Sequence, residues 1–191
     1  MSGALLPVRL SVCGVVELDG FAAAGVSDVL SILDPGQPEP AAFRTYAPHR
    51  RTALRFHDVV LPAAGYAPPG RGDVGRILEF GMSLGAVRDA SHLLVHCYAG
   101  VSRSTAAAAI LMAQANPGQE ERAFLSLLEI RPRAWPNSRM VELADELLAR
   151  RGALRAGLDA YYRAALGRYA GMAEYIRSIG GRDHELPEDA R

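Results

Sequence analysis

Four short apolar runs punctuate the first half of the chain: "VRLSVCGVVEL", "VSDVLSIL", "TALRFHDVV" and "SHLLVHC". All are rich in Val, Leu and Ile, and three are closely followed by turn residues or prolines, which is the pattern of strands. Between them lie helix-like stretches. In the clearest, "GDVGRILEFGMSLG", Val74, Ile77, Leu78, Gly81 and Leu84 share one face, with Asp73 at the N-cap position. Strands alternating with helices predict an α/β fold, with a mostly parallel central sheet of about four to five strands covered by helices on both faces.

After Ser102 the pattern turns wholly helical. "TAAAAILMAQA" is apolar all round and predicts a central, buried helix. "EERAFLSLLEI" follows, and the prolines of "RPRAWPN" force a break. Asn137 can then cap a helix that turns Met140, Leu143, Ala144, Leu147 and Leu148 inward. These elements make one domain over residues 1–150, with residues 151–191 as a C-terminal helical extension. In that extension Leu154, Leu158, Tyr161, Tyr162, Ala165, Tyr169, Met172, Tyr175 and Ile176 recur at helical spacing, interrupted by Gly157, Gly167 and Gly171. Such a face either packs on its own domain or makes a dimer or partner surface. The tail, "GRDHELPEDAR", reads as a frayed end.

Charge and composition narrow the chemistry. The formal net charge is zero, and no run of like charges offers a general attraction to nucleic acid or to a membrane surface. All 21 basic residues are arginine. With no lysine in the chain, Schiff-base catalysis and the Walker-type phosphate loop are excluded. Two cysteines, Cys13 and Cys97, are too few for a disulfide framework, and the opening "MSGALLPVRL" lacks the pattern of a secretion signal. No apolar run is long enough to span a bilayer. A cytoplasmic protein is the expectation.

The turn in "HCYAGVSRS" carries more chemistry than a reversal of the chain requires. A helix N-terminus offers unpaired N–H groups and partial positive charge, and the segment Tyr98, Ala99, Gly100, Val101 and Ser102 can aim further amides at the same point. Gly100 permits the sharp turn. Arg103 can bind two oxygens of a tetrahedral oxyanion. Cys97 lies beneath, where the same groups stabilise a thiolate, and a thiolate under an oxyanion site is a nucleophile aimed at phosphorus. Ser104 can donate to that sulfur when it leaves, and Ser102 can brace the loop. His96 points away from Cys97 along the strand, so a hydrogen bond to loop backbone is its expected role.

"HCYAGVSRS" resembles the His-Cys-x₅-Arg-Ser/Thr signature of the cysteine-dependent protein tyrosine phosphatases, and its "GVSRS" form is similar to the dual-specificity branch. The resemblance runs from about Val8 to Arg150 and includes "RPRAWPN". It implies a phosphocysteine at Cys97, a phosphoryl group held by Arg103 and the loop amides, and no metal or other cofactor.

Such chemistry needs a proton donor at the carboxyl edge of the sheet. Asp89 precedes its strand, at the wrong end, and Asp73 is explained as a helix cap. Asp34, in "SILDPG", is at the right edge, but it opens a Pro-Gly turn that itself accounts for an Asp. Asp58 opens the Gly-Pro-rich segment "VVLPAAGYAPPGRG" and takes the place of the acid in the related phosphatases, although the loop here is longer. It is the chosen acid, with Asp34 as the alternative. His57 either modulates it or is a surface histidine. Cys13 is a buried small residue or a redox partner of Cys97. His92, His96 and Cys97 do not share a side of the strand, so no metal site is expected. The expected substrate is a phosphorylated protein or peptide, carrying phosphotyrosine and possibly phosphoserine or phosphothreonine. The rivals are the same chemistry on an inositol or sugar phosphate, and an inactive phosphoprotein-binding module.

Overall fold

In the computed structural model, which describes residues 4–84 and 91–190, the apolar runs form β1 (Arg9–Gly14), β2 (Asp28–Leu33), β3 (Arg50–Arg55) and β4 (His92–Cys97). The sheet order is β1-β4-β2-β3, with every neighbouring pair parallel. Lying between β1 and β2, β4 is buried along its whole length, which is why it reads as an almost unbroken apolar run. Parallel strands all end at one edge, so the segments after Gly14, Leu33, Arg55 and Cys97 meet there.

Side chains alternate between the two faces of the sheet. Val12, Leu30, Ile32, Leu54, Leu93 and Val95 join the core built with α1 (Arg71–Leu84) and α2 (Arg103–Ala115). Helix α2 is buried from Arg103 to Ala113 and touches the sheet, α1, α3 (Glu120–Leu125) and α5 (Ser138–Leu147). The short α4 (Leu127–Ile130) links α3 to the proline-containing turn. Cys13, Val29 and Leu94 face the other way. They are covered by 3₁₀ segments at Val15–Phe21 and Ala41–Thr45 rather than by the α-helices expected there. Pro35, Pro38 and Pro40 deny the second of these connections an α-helix.

Asp73 is not the cap of α1. The helix starts at Arg71, ahead of it, so Asp73 sits in the first turn and its carboxylate accepts from the Gly70 N–H at 3.0 Å. Asn137 does cap α5, accepting from Met140 N at 3.1 Å.

Beyond residue 150 the chain forms two helices, α6 (Ala153–Arg168) and α7 (Met172–Ser178), separated at Gly171 in the left-handed region. Helix α6 lies on α3 and α5. Gly157 is a contact point rather than a weakness, since a Cβ there would stand 2.9 Å from the Phe124 ring and 3.1 Å from the Glu120 carbonyl. Leu154, Leu158, Tyr161, Tyr162, Ala165, Met172 and Ile176 are buried within the chain, while Tyr175 is exposed. Nor is the tail frayed: Arg182, Glu185 and Leu186 are buried. Glu185 accepts from Trp135 Nε1 and Ser138 N, both at 3.0 Å, and from the Tyr162 hydroxyl at 3.3 Å. Trp135 and Tyr162 stack at 4.0 Å beside it. Among the described residues no helix is long and apolar enough to cross a membrane.

Candidate active site

Strand β4 delivers a buried Cys97 to the crowded edge of the sheet, and α2 begins six residues later at Arg103. Each carbonyl of the intervening loop is engaged by the surrounding protein. Tyr98 O accepts from Val15 N at 2.9 Å, Ala99 O from Arg131 Nη2 at 3.3 Å, and Gly100 O from Arg131 Nε at 3.0 Å. Val101 O accepts from Trp135 N at 2.8 Å, and Ser102 O from Ala106 N at 2.9 Å. A trans peptide points its N–H opposite to its C=O, so the loop amides turn inward. One of them, Gly100 N, donates to Cys97 Sγ at 3.2 Å. Gly100 has φ +70°, and a Cβ there would lie 2.4 Å from the Cys13 backbone; only glycine permits this loop.

Arg131 is itself gripped by Glu17 through contacts of 2.8 and 2.7 Å, and this pairing holds the Glu17 carboxyl below its ordinary value. Glu17 also accepts from Gly14 N at 2.7 Å. Neither residue was singled out in the sequence, where 114 positions separate them.

Ser104 Oγ stands 3.2 Å from Cys97 Sγ, with both residues buried. The buried Arg103 guanidinium reaches between the ends of β2 and β3. Its Nη1 donates to Asp34 Oδ1 and to Phe56 O, each at 2.6 Å. Among the described residues its Nε, which is buried, has no hydrogen-bond partner, a donor that an oxyanion would satisfy.

Both candidate carboxylates therefore come to this edge. Asp58 Oδ1 accepts from Ser102 Oγ at 2.7 Å and from Asn137 Nδ2 at 2.9 Å, while Oδ2 faces Arg103 Nε at 4.0 Å. Arg182 Nη1 donates to Ser102 Oγ at 2.8 Å. The sequence marks Asn137 only as a helix cap and Arg182 only as part of a loose end. The remaining carboxylate considered, Asp89, lies outside the described residues. His57 fastens the loop that follows: its N–H donates to Ala67 O at 2.7 Å, and its Nδ1 accepts from Ala67 N at 2.9 Å.

No family model matches the chain, and no curated protein matches its sequence. Solved structures do. Human DUSP28 superposes with TM-score 0.54 at 20% identity, covering 75% of this chain and 99% of that one. A human tyrosine phosphatase-like serine/threonine/tyrosine-interacting protein gives 0.56 at 20%, covering 78% and 95%. PTPMT1 in complex with PI(5)P gives 0.52 at 16%, covering 78% and 94%. The chain has the dual-specificity phosphatase fold.

Within the dual-specificity phosphatase fold of this chain, His96 packs against Phe43 on the face opposite Cys97, their ring centroids 5.5 Å apart. Among the described residues neither ring nitrogen has a hydrogen-bond partner, and the adjacent Cys97 backbone offsets only part of the effect of burial. Burial pushes its pKa down to about 4. Burial, aided by the charge of Glu17, pushes the Cys13 thiol up to about 12 and keeps it neutral. His92 is occupied by Ser11 Oγ at 2.9 Å and Ala24 O at 3.1 Å.

Proposed function

We propose that the chain is a phosphomonoester hydrolase using Cys97 as nucleophile, with phosphotyrosine in proteins or peptides as its principal substrate. The observation that carries this reading is the inward-turned loop around Cys97 beside the buried, unpartnered Arg103 Nε. A phosphoryl group seated there replaces the missing acceptor of Nε and takes the loop amides as donors. Cys97 Sγ attacks phosphorus as the bond to the leaving oxygen breaks, and Asp58 supplies that oxygen with a proton. Asp58 Oδ1 is anchored by two donors, which leaves Oδ2 to carry the proton. In the second step Asp58 takes a proton from water, the water oxygen bonds to phosphorus, and the S–P bond breaks with Ser104 stabilising the departing thiolate. Tyr98, 60% exposed on the loop, offers an aromatic surface to an aryl substrate.

The test is phosphate release from phosphotyrosine peptides, phosphoserine peptides, inositol phosphates and nucleotides, with chelator present, for the natural chain and Cys97→Ser. Cys97-dependent release from phosphotyrosine peptides is expected. Release confined to inositol phosphates would move the substrate to a non-protein phosphomonoester, and peptide binding without turnover in either protein would contradict the enzyme reading.

A further inference from the structure

The C-terminal tail reaches the candidate site through one side chain. Gly180 and Gly181, both left-handed at φ 67° and 69°, turn the chain inward, and Arg182 beyond them is only 8% exposed. Its guanidinium divides between two tasks. Nε and Nη2 hold Glu185, with Nη2 3.1 Å from Oε1, and Nη1 donates to Ser102 Oγ at 2.8 Å. The same Nη1 stands 3.8 Å from Asp58 Oδ1. Glu185 is fixed in turn by Trp135, Ser138 and Tyr162. The Arg182 fork therefore has little freedom to turn.

A tail that only had to be tethered could use apolar contacts such as that of Leu186. Carrying an ion pair into the interior costs desolvation that well-packed apolar residues avoid. Here the third nitrogen of the buried arginine is spent on the phosphate loop. Accepting from Arg182, the Ser102 hydroxyl directs its one proton to Asp58 Oδ1. Around Asp58 stand Ser102, Asn137, Arg182 and Arg103, with Glu185 and Asp34 facing the two arginines. We propose that Arg182 is a positioning residue: acting through Ser102, it fixes the Asp58 carboxyl so that Oδ2 meets the leaving oxygen. The proposal rests on the reading of Asp58 as the acid.

The experiment compares Arg182→Met and Ser102→Ala in the natural and Asp58→Asn backgrounds, using phenyl phosphate, with a poor leaving group, and 2,4-dinitrophenyl phosphate, with a good one. Each variant is expected to lower kcat/KM, which reports the step that expels the leaving group, on phenyl phosphate by on the order of tenfold or more, with little change in kcat/KM on the dinitrophenyl ester. Neither should have a further effect once Asp58 is Asn. Ser102→Ala leaves the Arg182–Glu185 pair in place and decides the matter if Arg182→Met fails to fold. An equal loss on both esters, or a loss that persists in the Asp58→Asn background, would overturn the positioning role. If Asp58→Asn itself shows no leaving-group bias while Cys97-dependent turnover persists, the acid assignment fails first and the proposal with it. If turnover does not depend on Cys97, the proposed function fails.

Discussion

Asp34 and Asp58 follow neighbouring parallel strands and both approach Arg103, but the protein holds them differently. Asp34 places Oδ1 on Arg103 Nη1 at 2.6 Å, so it orients the arginine. Asp58 is held through Oδ1 by Ser102 of the loop after β4 and by Asn137, the cap of α5, and its other oxygen stays 4.0 Å from the arginine. A carboxylate engaged by the guanidinium is suited to aligning the oxyanion site. One anchored by a single oxygen is suited to moving a proton.

The largest effect that can break this distinction is on the first chemical step, read as kcat/KM. Asp58→Asn should lower kcat/KM on phenyl phosphate by about 10²- to 10⁴-fold, with a much smaller loss in kcat/KM on an ester that needs no acid. A pH–rate profile of both esters measures the difference. Asp34→Asn should act mainly on KM, raising it by roughly tenfold, because Arg103 loses a charge-assisted partner that holds its fork. If the two substitutions exchange these signatures, Asp34 is the acid.

The smallest effect on turnover is expected at His96, which instead controls how far into acid such profiles can be taken. Its pKa lies near 4 in the folded chain against about 6.5 in the unfolded one. The unfolded state therefore binds more protons between those values, and stability falls as pH drops from about 6.5 towards 4, by up to about 3 kcal/mol. Urea midpoints across this range should fall less steeply for His96→Phe than for the natural chain. Identical slopes would show that His96 does not set the acid limit.

The parts of the site legible in the sequence are those fixed by local offsets. Cys97, Gly100, Arg103 and Ser104 sit on a strand, a turn and a helix start that their own neighbours dictate, and the parallel sheet follows from the apolar runs. The sequence favours Asp58 over Asp34 through its Gly-Pro-rich loop and the resemblance, but both follow strands that end at the same edge, and their different partners are not encoded locally. Arg131, Asn137 and Arg182 reach the loop or Asp58 across 31, 79 and 80 residues, separations that no periodicity encodes. The burial of the tail is hidden in the sequence for a related reason. Two glycines followed by charged residues resemble a solvated end, and hydropathy does not reveal that Arg182 and Glu185 satisfy one another in the interior.

The central claim is that phosphorus passes through Cys97 with Asp58 serving both steps. It is tested most directly by rapid-quench mass spectrometry of Asp58→Asn and Asp34→Asn mixed with 2,4-dinitrophenyl phosphate. Departure of dinitrophenolate needs no acid, whereas hydrolysis of the S–P bond needs the base. The Asp58→Asn chain should therefore accumulate a phosphoryl adduct on the Cys97 peptide, with a burst approaching one equivalent of dinitrophenolate, and Asp34→Asn should not. No adduct in either variant, or accumulation only in Asp34→Asn, would contradict the account.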